Sequence, residues 1–238
     1  MRRCGARLKK NALKPWRKKH WCLATVGADF VWRMEDVLDL YAQPYDETRP
    51  VVCFDEQPHQ LIAETRVPLP VAPGRPARVD YEYRRAGTAN LFLVFEPLAG
   101  WGHVEVTAQR TNQDFAQQMK ALVDSHFPHT ERIAVVLDNL STHSPAALYQ
   151  TFPPAEAFRL CKRLEFHYTP KHGSWLNMAE REFSVLDRQC LDRRLPDLDS
   201  LRREIAAWEV TRNTVYATAQ WCFTVAKART KLRRFYPA

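Results

Sequence analysis

The chain has 238 residues, enough for one sizeable domain that buries its own apolar core without a disulfide or metal to hold it together. Lys and Arg outnumber Asp and Glu by 35 to 27, a net charge of +8. The excess lies at the two ends: residues 1–20 hold nine basic side chains and 225–238 hold five, with no acid in either, whereas residues 21–224 sum to −6. This distribution excludes a uniformly basic protein of the histone or ribosomal kind.

Composition also limits the class of protein. The hydrophobic content of 45% excludes a disordered chain, and the apolar runs are too short to span a bilayer. The basic N-terminus is not followed by the apolar segment of a secretory signal. The six cysteines form no CxxC pair, which favours reduced thiols in a cytoplasmic protein over disulfides or a zinc site. Glycine-rich phosphate loops, nucleophile elbows and dinucleotide fingerprints are missing, so we expect no small-molecule cofactor.

The first predicted elements are an exposed basic arm over residues 1–20 and an amphipathic helix over 30–41. A short buried strand follows at 51–54 and is expected to end at Asp55 and Glu56. Four prolines between positions 68 and 76 then predict a loop.

The middle of the chain changes to alternating, β-rich patterns. Residues 81–85, 90–97 and 102–107 predict an antiparallel meander, split at Ala86-Gly87 and at Ala99-Gly100. A helix capped by Thr111 or Asn112 comes next. Another buried strand, 133–137, again ends on an acid, Asp138.

The last third of the chain is mainly helical. Helices are predicted at 145–149 and 156–164, a strand at 165–168, and further helices from Ser174 or Asn177, over 198–210 and over 217–232. A meander followed by alternating helices and strands predicts an α/β fold with a mixed sheet and helices on its faces. A ribonuclease-H-like fold is one of several folds with this order of elements.

Three acids occupy related places in this pattern. Asp55 follows the first buried strand, Asp138 follows the strand at 133–137, and Glu180 lies in the helix after the last strand. Strand ends at one edge of an α/β sheet are where such folds build their sites, although acids also commonly terminate strands with no further role. Together the three form an all-oxygen ligand set suited to Mg²⁺ or Mn²⁺, and two such ions can catalyse displacement at a phosphodiester.

Three segments carry a family resemblance: CFDEQP (53–58), VVLDNLSTH (135–143) and TPKHGSWLNMAE (169–180). They resemble the catalytic motifs of transposases of the bacterial IS630 group, in the Tc1/mariner superfamily of DDE enzymes. The resemblance implies a ribonuclease-H-like domain with a mixed five-stranded sheet flanked by helices, in which Asp55, Asp138 and Glu180 are catalytic and hold two Mg²⁺ ions, with Mn²⁺ as the substitute.

The resemblance also implies partners and a reaction. The substrate would be double-stranded DNA, namely transposon ends and target: water cuts the strand, and the freed 3′-hydroxyl then attacks the target. Two ends must be brought together, so a homodimer is implied, working on nucleoid DNA in the bacterial cytoplasm. The boundaries expected are a basic arm and linker helix at 1–48, a catalytic domain at 49–195 and a helical extension with a basic tail at 196–238.

Two features depart from the family pattern. Forty-one residues separate Asp138 from Glu180, which is long for the superfamily, and Glu182 is an alternative third acid that helix periodicity does not exclude. About fifty residues precede Asp55, too few for the usual helix-turn-helix domains. We therefore expect the catalytic half of a longer transposase, from a truncated copy or a split reading frame; a catalytically idle DNA-binding remnant and a ribonuclease-H-like nuclease without strand transfer are the alternatives.

Other residues have two interpretations each. Lys171 either contacts a phosphate or is solvated surface. His172 and Trp175 are candidates for contact with a base, and packing in the core is an equal alternative for Trp175. Arg84 and Arg85 either face DNA or line an exposed strand. Four further residues are expected to surround the catalytic acids and hold them in place without binding the metal themselves: Glu56, Asn139, His143 and Asn177. His143 would orient Asp138, touch DNA or satisfy a backbone carbonyl.

Overall fold

A computed structural model describes residues 27–236; the basic arm predicted at 1–20 lies outside the described residues. Five strands form a single mixed sheet in the order β3-β2-β1-β4-β5. The antiparallel pairs are β1–β2 and β2–β3, and the parallel pairs are β1–β4 and β4–β5. The strands are β1 (Val51–Glu64), β2 (Tyr83–Glu96), β3 (Trp101–Thr107), β4 (Ile133–Leu137) and β5 (Leu164–Tyr168). The predicted mixed five-stranded, ribonuclease-H-like sheet is thereby confirmed.

Seven α-helices flank the sheet within the described residues. Thr111 caps the second helix with a reciprocal bond to Asp114, and Asn177 and Asp197 cap the fifth and sixth. The helices are α1 (Ala28–Ala42), α2 (Asn112–Ala121), α3 (Pro145–Thr151), α4 (Pro154–Arg163), α5 (Met178–Leu186), α6 (Leu198–Thr214) and α7 (Val225–Lys231). In residues 27–236, no helix combines the length and apolarity needed to cross a membrane.

The side-chain alternation of the strands divides the core into two clusters. On one face, Val52 and Phe54 of β1 pack with α2, α3 and α4. On the other, Cys53 of β1 and Val136 of β4 pack with α1, α5 and α6. The helices α1, α5 and α6 therefore pack together on the sheet face that carries Cys53 and Val136. The domain boundaries after residues 48 and 195 stay predictions.

Two strand predictions are wrong. β1 does not end at Phe54 but continues to Glu64, so Asp55 and Glu56 lie inside the strand. Ala86-Gly87 does not separate two strands. The β1–β2 pairing passes from Gln60↔Thr88 to Ile62↔Arg85, so Ala86 and Gly87 together face one residue of β1 and form a bulge within β2. Gly87 has a φ of 110°, and this conformational freedom lets one long strand accommodate the bulge.

The C-terminal helix predicted over 217–232 is also wrong in its first half. The helix α7 starts at Val225, and residues 215–224 form a turn followed by an irregular segment. The backbone N–H of Ala219 donates to the Pro97 carbonyl at 2.8 Å, and Trp221 packs against the core beside Tyr41 at a ring distance of 5.5 Å. The segment is rich in β-branched and aromatic residues, which are weak helix formers, and these tertiary contacts hold it in a non-helical conformation.

The free edge of β3 is covered by side chains of α6. Asn213 both accepts from the Gly102 N–H at 2.9 Å and donates to the Gly102 carbonyl at 2.8 Å. Glu209 accepts from the Val104 N–H at 3.1 Å, and Arg202 donates to the Val106 carbonyl at 3.2 Å. The helix therefore occupies the hydrogen-bonding groups that another strand would otherwise use.

Candidate active site

The strand register places Asp55 beside Asp138. β1 and β4 run parallel, and their last paired residues are Cys53 and Val136. Asp55 lies two residues further along β1, and Asp138 directly follows the end of β4 at Leu137. Because neighbouring strands lie about 4.8 Å apart, the two acids lie at the same edge of the sheet, where the charge of Asp138 acts on Asp55.

The electrostatics of Asp55 show how closely the acids converge. Burial raises the pKa of Asp55 to about 7; a hydrogen bond from the Glu56 N–H opposes this shift, and the negative charges of Glu56, Asp138 and Glu180 add to it. That bond, 2.9 Å long, goes to Oδ1. Like charges crowded in this way favour a bound cation, which removes their repulsion.

Asp138 is held in its ionised form. Burial by itself would raise its pKa, but hydrogen bonds from His143 and from the Leu140 N–H outweigh burial and hold the pKa of Asp138 below its usual range. Both donors bind the same oxygen, Oδ1, at 2.7 and 3.0 Å. The described residues place no hydrogen bond on Oδ2.

Asn177 fixes the position of Glu180. Its side-chain oxygen accepts from the Ala179 N–H at 3.1 Å and caps α5, while its amide donates to the Phe54 carbonyl of β1 at 2.8 Å. Asn177 is buried, so this link is shielded from water. The first turn of α5 is thereby tied to β1 next to Asp55, and the exposed Glu180 lines a cleft of about 340 Å³ together with Asp55.

Glu182 points elsewhere. Its carboxylate is 5% exposed and receives two hydrogen bonds from Arg212 of α6, at 2.6 and 2.9 Å. A buried carboxylate that is paired through both oxygens serves to join α5 to α6. The geometry favours Glu180 over Glu182 as the third acid.

The donor set fits a hard divalent cation, although the side chains are not gathered around one point. Among residues 27–236, no three His, Cys, Asp or Glu side chains are close enough to enclose a metal ion. The facing groups are all carboxylates, the ligands that Mg²⁺ and Mn²⁺ prefer. Asp55 and Asp138 each use one oxygen for local hydrogen bonds, and Glu180 is solvent-exposed and able to reorient.

His143 lies behind Asp138 rather than on the cleft side. Its ring nitrogens are 2.7 Å from Asp138 Oδ1 and 2.7 Å from Glu56 Oε2, although the second ring N–H does not point straight at its oxygen. Burial alone would lower the pKa of His143, but the two carboxylates outweigh burial and raise it to about 9. Of the three roles considered from sequence, contact with Asp138 is the one the geometry supports.

Of the other predicted residues, some lie near the cleft that Asp55 and Glu180 line, and others lie far from it. Asn139 follows Asp138 and donates to the Thr169 carbonyl at 2.6 Å. Lys171 and His172 are exposed in the loop before α5, where His172 has a φ of 64°. Arg85 stands opposite Ile62, seven residues along β1 from Asp55 and thus roughly 23 Å away. Neither Arg85 nor its neighbour Arg84 belongs to this cleft.

Next to the acids is a second groove that sequence patterns did not reveal. It has a volume of about 530 Å³ and borders Glu180. The indoles of Trp175 and Trp221 stack at its side with ring centroids 6.1 Å apart, and Trp175 keeps 43% of its surface exposed. Arg181 of α5 and Arg188, in the π-helical turn that follows α5, supply positive charge. No local sequence signal joins these residues, because Trp221 reaches the groove only through the non-helical segment 215–224.

Comparison with protein families identifies the chain. The family model of the DDE superfamily endonucleases matches residues 50–202, which contain β1 to β5 and all three acids. The chain belongs to the DDE superfamily endonucleases. Comparison with curated proteins gave no match.

Solved structures with the same fold come from the Mos1 mariner transposase. A pre-cleavage Mos1 transpososome has a TM-score of 0.56 at 14% identity, with 97% of this chain and 68% of that chain covered. The Mos1 mariner paired end complex with Mn has a TM-score of 0.55 at 14% identity, covering 98% and 68%. The Mos1 Strand Transfer Complex gives 0.55 at 14% identity, covering 98% and 67%. At this identity the likeness shows that this DDE endonuclease shares the ribonuclease-H-like fold.

Proposed function

We propose that this chain is the catalytic domain of a DDE transposase of the IS630 group, which cleaves DNA phosphodiesters and transfers the cut strand in a metal-dependent reaction. The observation that carries the proposal is the parallel pairing of β1 with β4, which brings Asp55 and Asp138 to one edge of the sheet, together with the cleft that Asp55 and Glu180 line. The similar folds come from complexes described as paired end, with Mn and with Mg, and as strand transfer. Those descriptions support the reaction class and the metal.

Each acid has a defined part in the proposed site. Asp55, Asp138 and Glu180 would hold two divalent cations, Mg²⁺ or Mn²⁺, which when bound would activate the attacking oxygen and stabilise the leaving oxygen. The protein keeps Asp138 ionised through the bonds to Oδ1. Because Asn177 holds α5 against β1, Glu180 stays within reach of both aspartates.

The DNA would lie along the groove beside Glu180. Arg181 and Arg188 would contact phosphates and the exposed face of Trp175 would stack on a base. Lys171 and His172 in the adjoining loop would extend this surface. The arginines at positions 84 and 85 would bind DNA only at a distance from the cleavage point. We further propose that two copies act together on two transposon ends in the bacterial cytoplasm.

A cleavage and joining assay tests this function. Duplex DNA carrying the element's ends is incubated with the full chain, Mg²⁺ and a target duplex, and cut and joined products are separated. Asp138→Asn should lose both products, whereas the matched Asp199→Asn, at an 83% exposed carboxylate on α6, should retain them. Cutting without joining would instead show a nuclease, and binding without cutting would show an idle remnant.

A further inference from the structure

The ring of His143 links two carboxylates that lie on opposite faces of the sheet. Nδ1 is 2.7 Å from Asp138 Oδ1 and Nε2 is 2.7 Å from Glu56 Oε2. The side chains of His143 and Glu56 are 1% and 3% exposed. The contact between His143 and Glu56 is therefore shielded from water, where charge-assisted interactions are strongest, whereas the Asp138 side chain is 41% exposed.

Consecutive residues of β1 point to opposite faces, and this separates the two acids of the first motif. Asp55 faces the cleft with Glu180. Glu56 also borders this cleft, but its carboxylate is buried and lies 3.4 Å from the guanidinium of Arg110. His143 comes from the loop after β4 and reaches around the strand end to Glu56. The network thus connects three separate parts of the chain behind the cleft.

The imidazole has little freedom to rotate. The rings of Phe54 and Phe115 lie 5.4 and 5.0 Å from it. The Tyr168 hydroxyl donates to the His143 carbonyl at 2.8 Å and fixes the backbone of the loop. A ring packed between two phenylalanines, hydrogen-bonded at Nδ1 and close to Glu56 at Nε2, presents Nδ1 to Asp138 at a set position.

Asp138 is thereby oriented. Its Oδ1 takes the bonds from His143 and from the Leu140 N–H. Because Oδ1 is occupied by two donors, the torsion of the carboxylate is set, and Oδ2 is the oxygen without a hydrogen bond among the described residues.

We propose that Glu56 and His143 form a positioning pair that holds Asp138 in the orientation needed to bind a divalent cation. Neither residue touches substrate; both act through Asp138. The inference rests on the proposed metal site and adds that the two adjacent acids of β1 have different tasks: Asp55 is a ligand, and Glu56 anchors the histidine. Partners of this kind behind a metal ligand typically change metal affinity by 10–100-fold.

The test is a Mn²⁺ titration of the full chain without DNA, with free Mn²⁺ measured by its paramagnetic resonance signal. Glu56→Gln keeps the size of the side chain and should weaken Mn²⁺ binding about tenfold, and His143→Ala should approach the loss seen in Asp138→Asn. His143→Asn places an amide N–H where Nδ1 was and should restore much of the affinity. His129→Ala, at an exposed histidine, is the matched control and should bind Mn²⁺ like the wild type.

Thermal unfolding of the same variants separates positioning from stability. A purely structural role would lower the unfolding temperature of Glu56→Gln and leave its Mn²⁺ affinity, measured well below that temperature, at the wild-type value; this result overturns the inference. Equal affinities for His143→Asn and His143→Ala below their unfolding temperatures would also overturn it. If the wild type binds no Mn²⁺, the proposed metal site is wrong, and the positioning role of Glu56 and His143 is refuted as well. If His143→Ala does not fold, Glu56→Gln and His143→Asn still decide the question.

Discussion

Exchanging the two neighbouring glutamates of α5 for glutamine should have opposite consequences. Glu182→Gln leaves the buried Arg212 guanidinium without a charged partner across contacts of 2.6 and 2.9 Å. Breaking a buried ion pair from one side costs about 3–5 kcal/mol of unfolding free energy. Because the Arg212 side chain is 21% exposed, water offsets part of this cost, and we expect the lower end of the range, about 3 kcal/mol.

The predicted loss is large enough to measure. For a chain of this length, 1 kcal/mol shifts Tm by about 2–4 °C, so Glu182→Gln should melt at least about 6 °C below the wild type. Glu180→Gln changes an exposed side chain and should keep Tm within about 1–2 °C. Cleavage should follow the reverse order, with Glu180→Gln inactive and Glu182→Gln active below its Tm.

A double-mutant cycle completes the test. Arg212→Met alone should destabilise as much as Glu182→Gln, since it leaves the buried carboxylate unpaired, while the double variant should be less destabilised than the sum of the two. The assays are urea unfolding and the DNA cleavage reaction. An unchanged Tm for Glu182→Gln, together with lost cleavage, would refute the assignment of Glu182 to the ion pair and of Glu180 to the site.

Three further predictions concern stability. Burial raises the pKa of Glu96 to about 7 from 4.5. The folded state therefore binds more protons than the unfolded state between these pH values, and the free energy of unfolding should fall as pH rises from about 4.5 to 7. In urea unfolding, Glu96→Gln should be more stable than the wild type by up to about 3 kcal/mol at pH 8 and equal to it below pH 4. Gly100→Ala should lose about 3 kcal/mol, because φ is +67° and the new Cβ would lie 2.5 Å from the Tyr216 backbone; Gly74→Ala, with a φ of +73° and open space, should lose only about 1 kcal/mol, and equal losses would contradict the steric argument. Asn213→Ala removes two bonds to the edge of β3 and should cost about 2 kcal/mol, with faster hydrogen exchange at Gly102 as the local readout; unchanged exchange there would speak against edge protection.

The similarity between sequence prediction and structure is greatest where the physics is local. Periodicity located α1 and the β4 strand, and each of the caps at Thr111, Asn177 and Asp197 was one of two candidates whose side chain satisfies free N–H groups at a helix start. Asp55 and Asp138 were recognisable as acids that follow buried apolar runs, and Glu180 through the resemblance of the segment 169–180.

Local patterns failed where distant segments decide the conformation. The bulge at Ala86-Gly87 has the turn-prone composition of a break, yet pairing with β1 keeps the chain extended through it. Residues 215–224 are mainly β-branched and aromatic and are poor helix formers, so the helical spacing predicted there had little support from propensity. The contact of Ala219 with Pro97 and the packing of Trp221 on the core hold the segment in a non-helical conformation.

The sequence by itself indicated an α/β fold with a mixed sheet, since that follows from short-range periodicity, and the resemblance of three short motifs singled out Asp55, Asp138 and Glu180. Only the tertiary structure decided how these residues are arranged. The pairing of β1 with β4 brings Asp55 and Asp138 to one edge of the sheet, and Arg212 pairs with Glu182 and leaves Glu180 exposed. Alternation along β1 sends Glu56 to the opposite face, where it meets His143. These relations join residues far apart in the chain, so no local pattern encodes them.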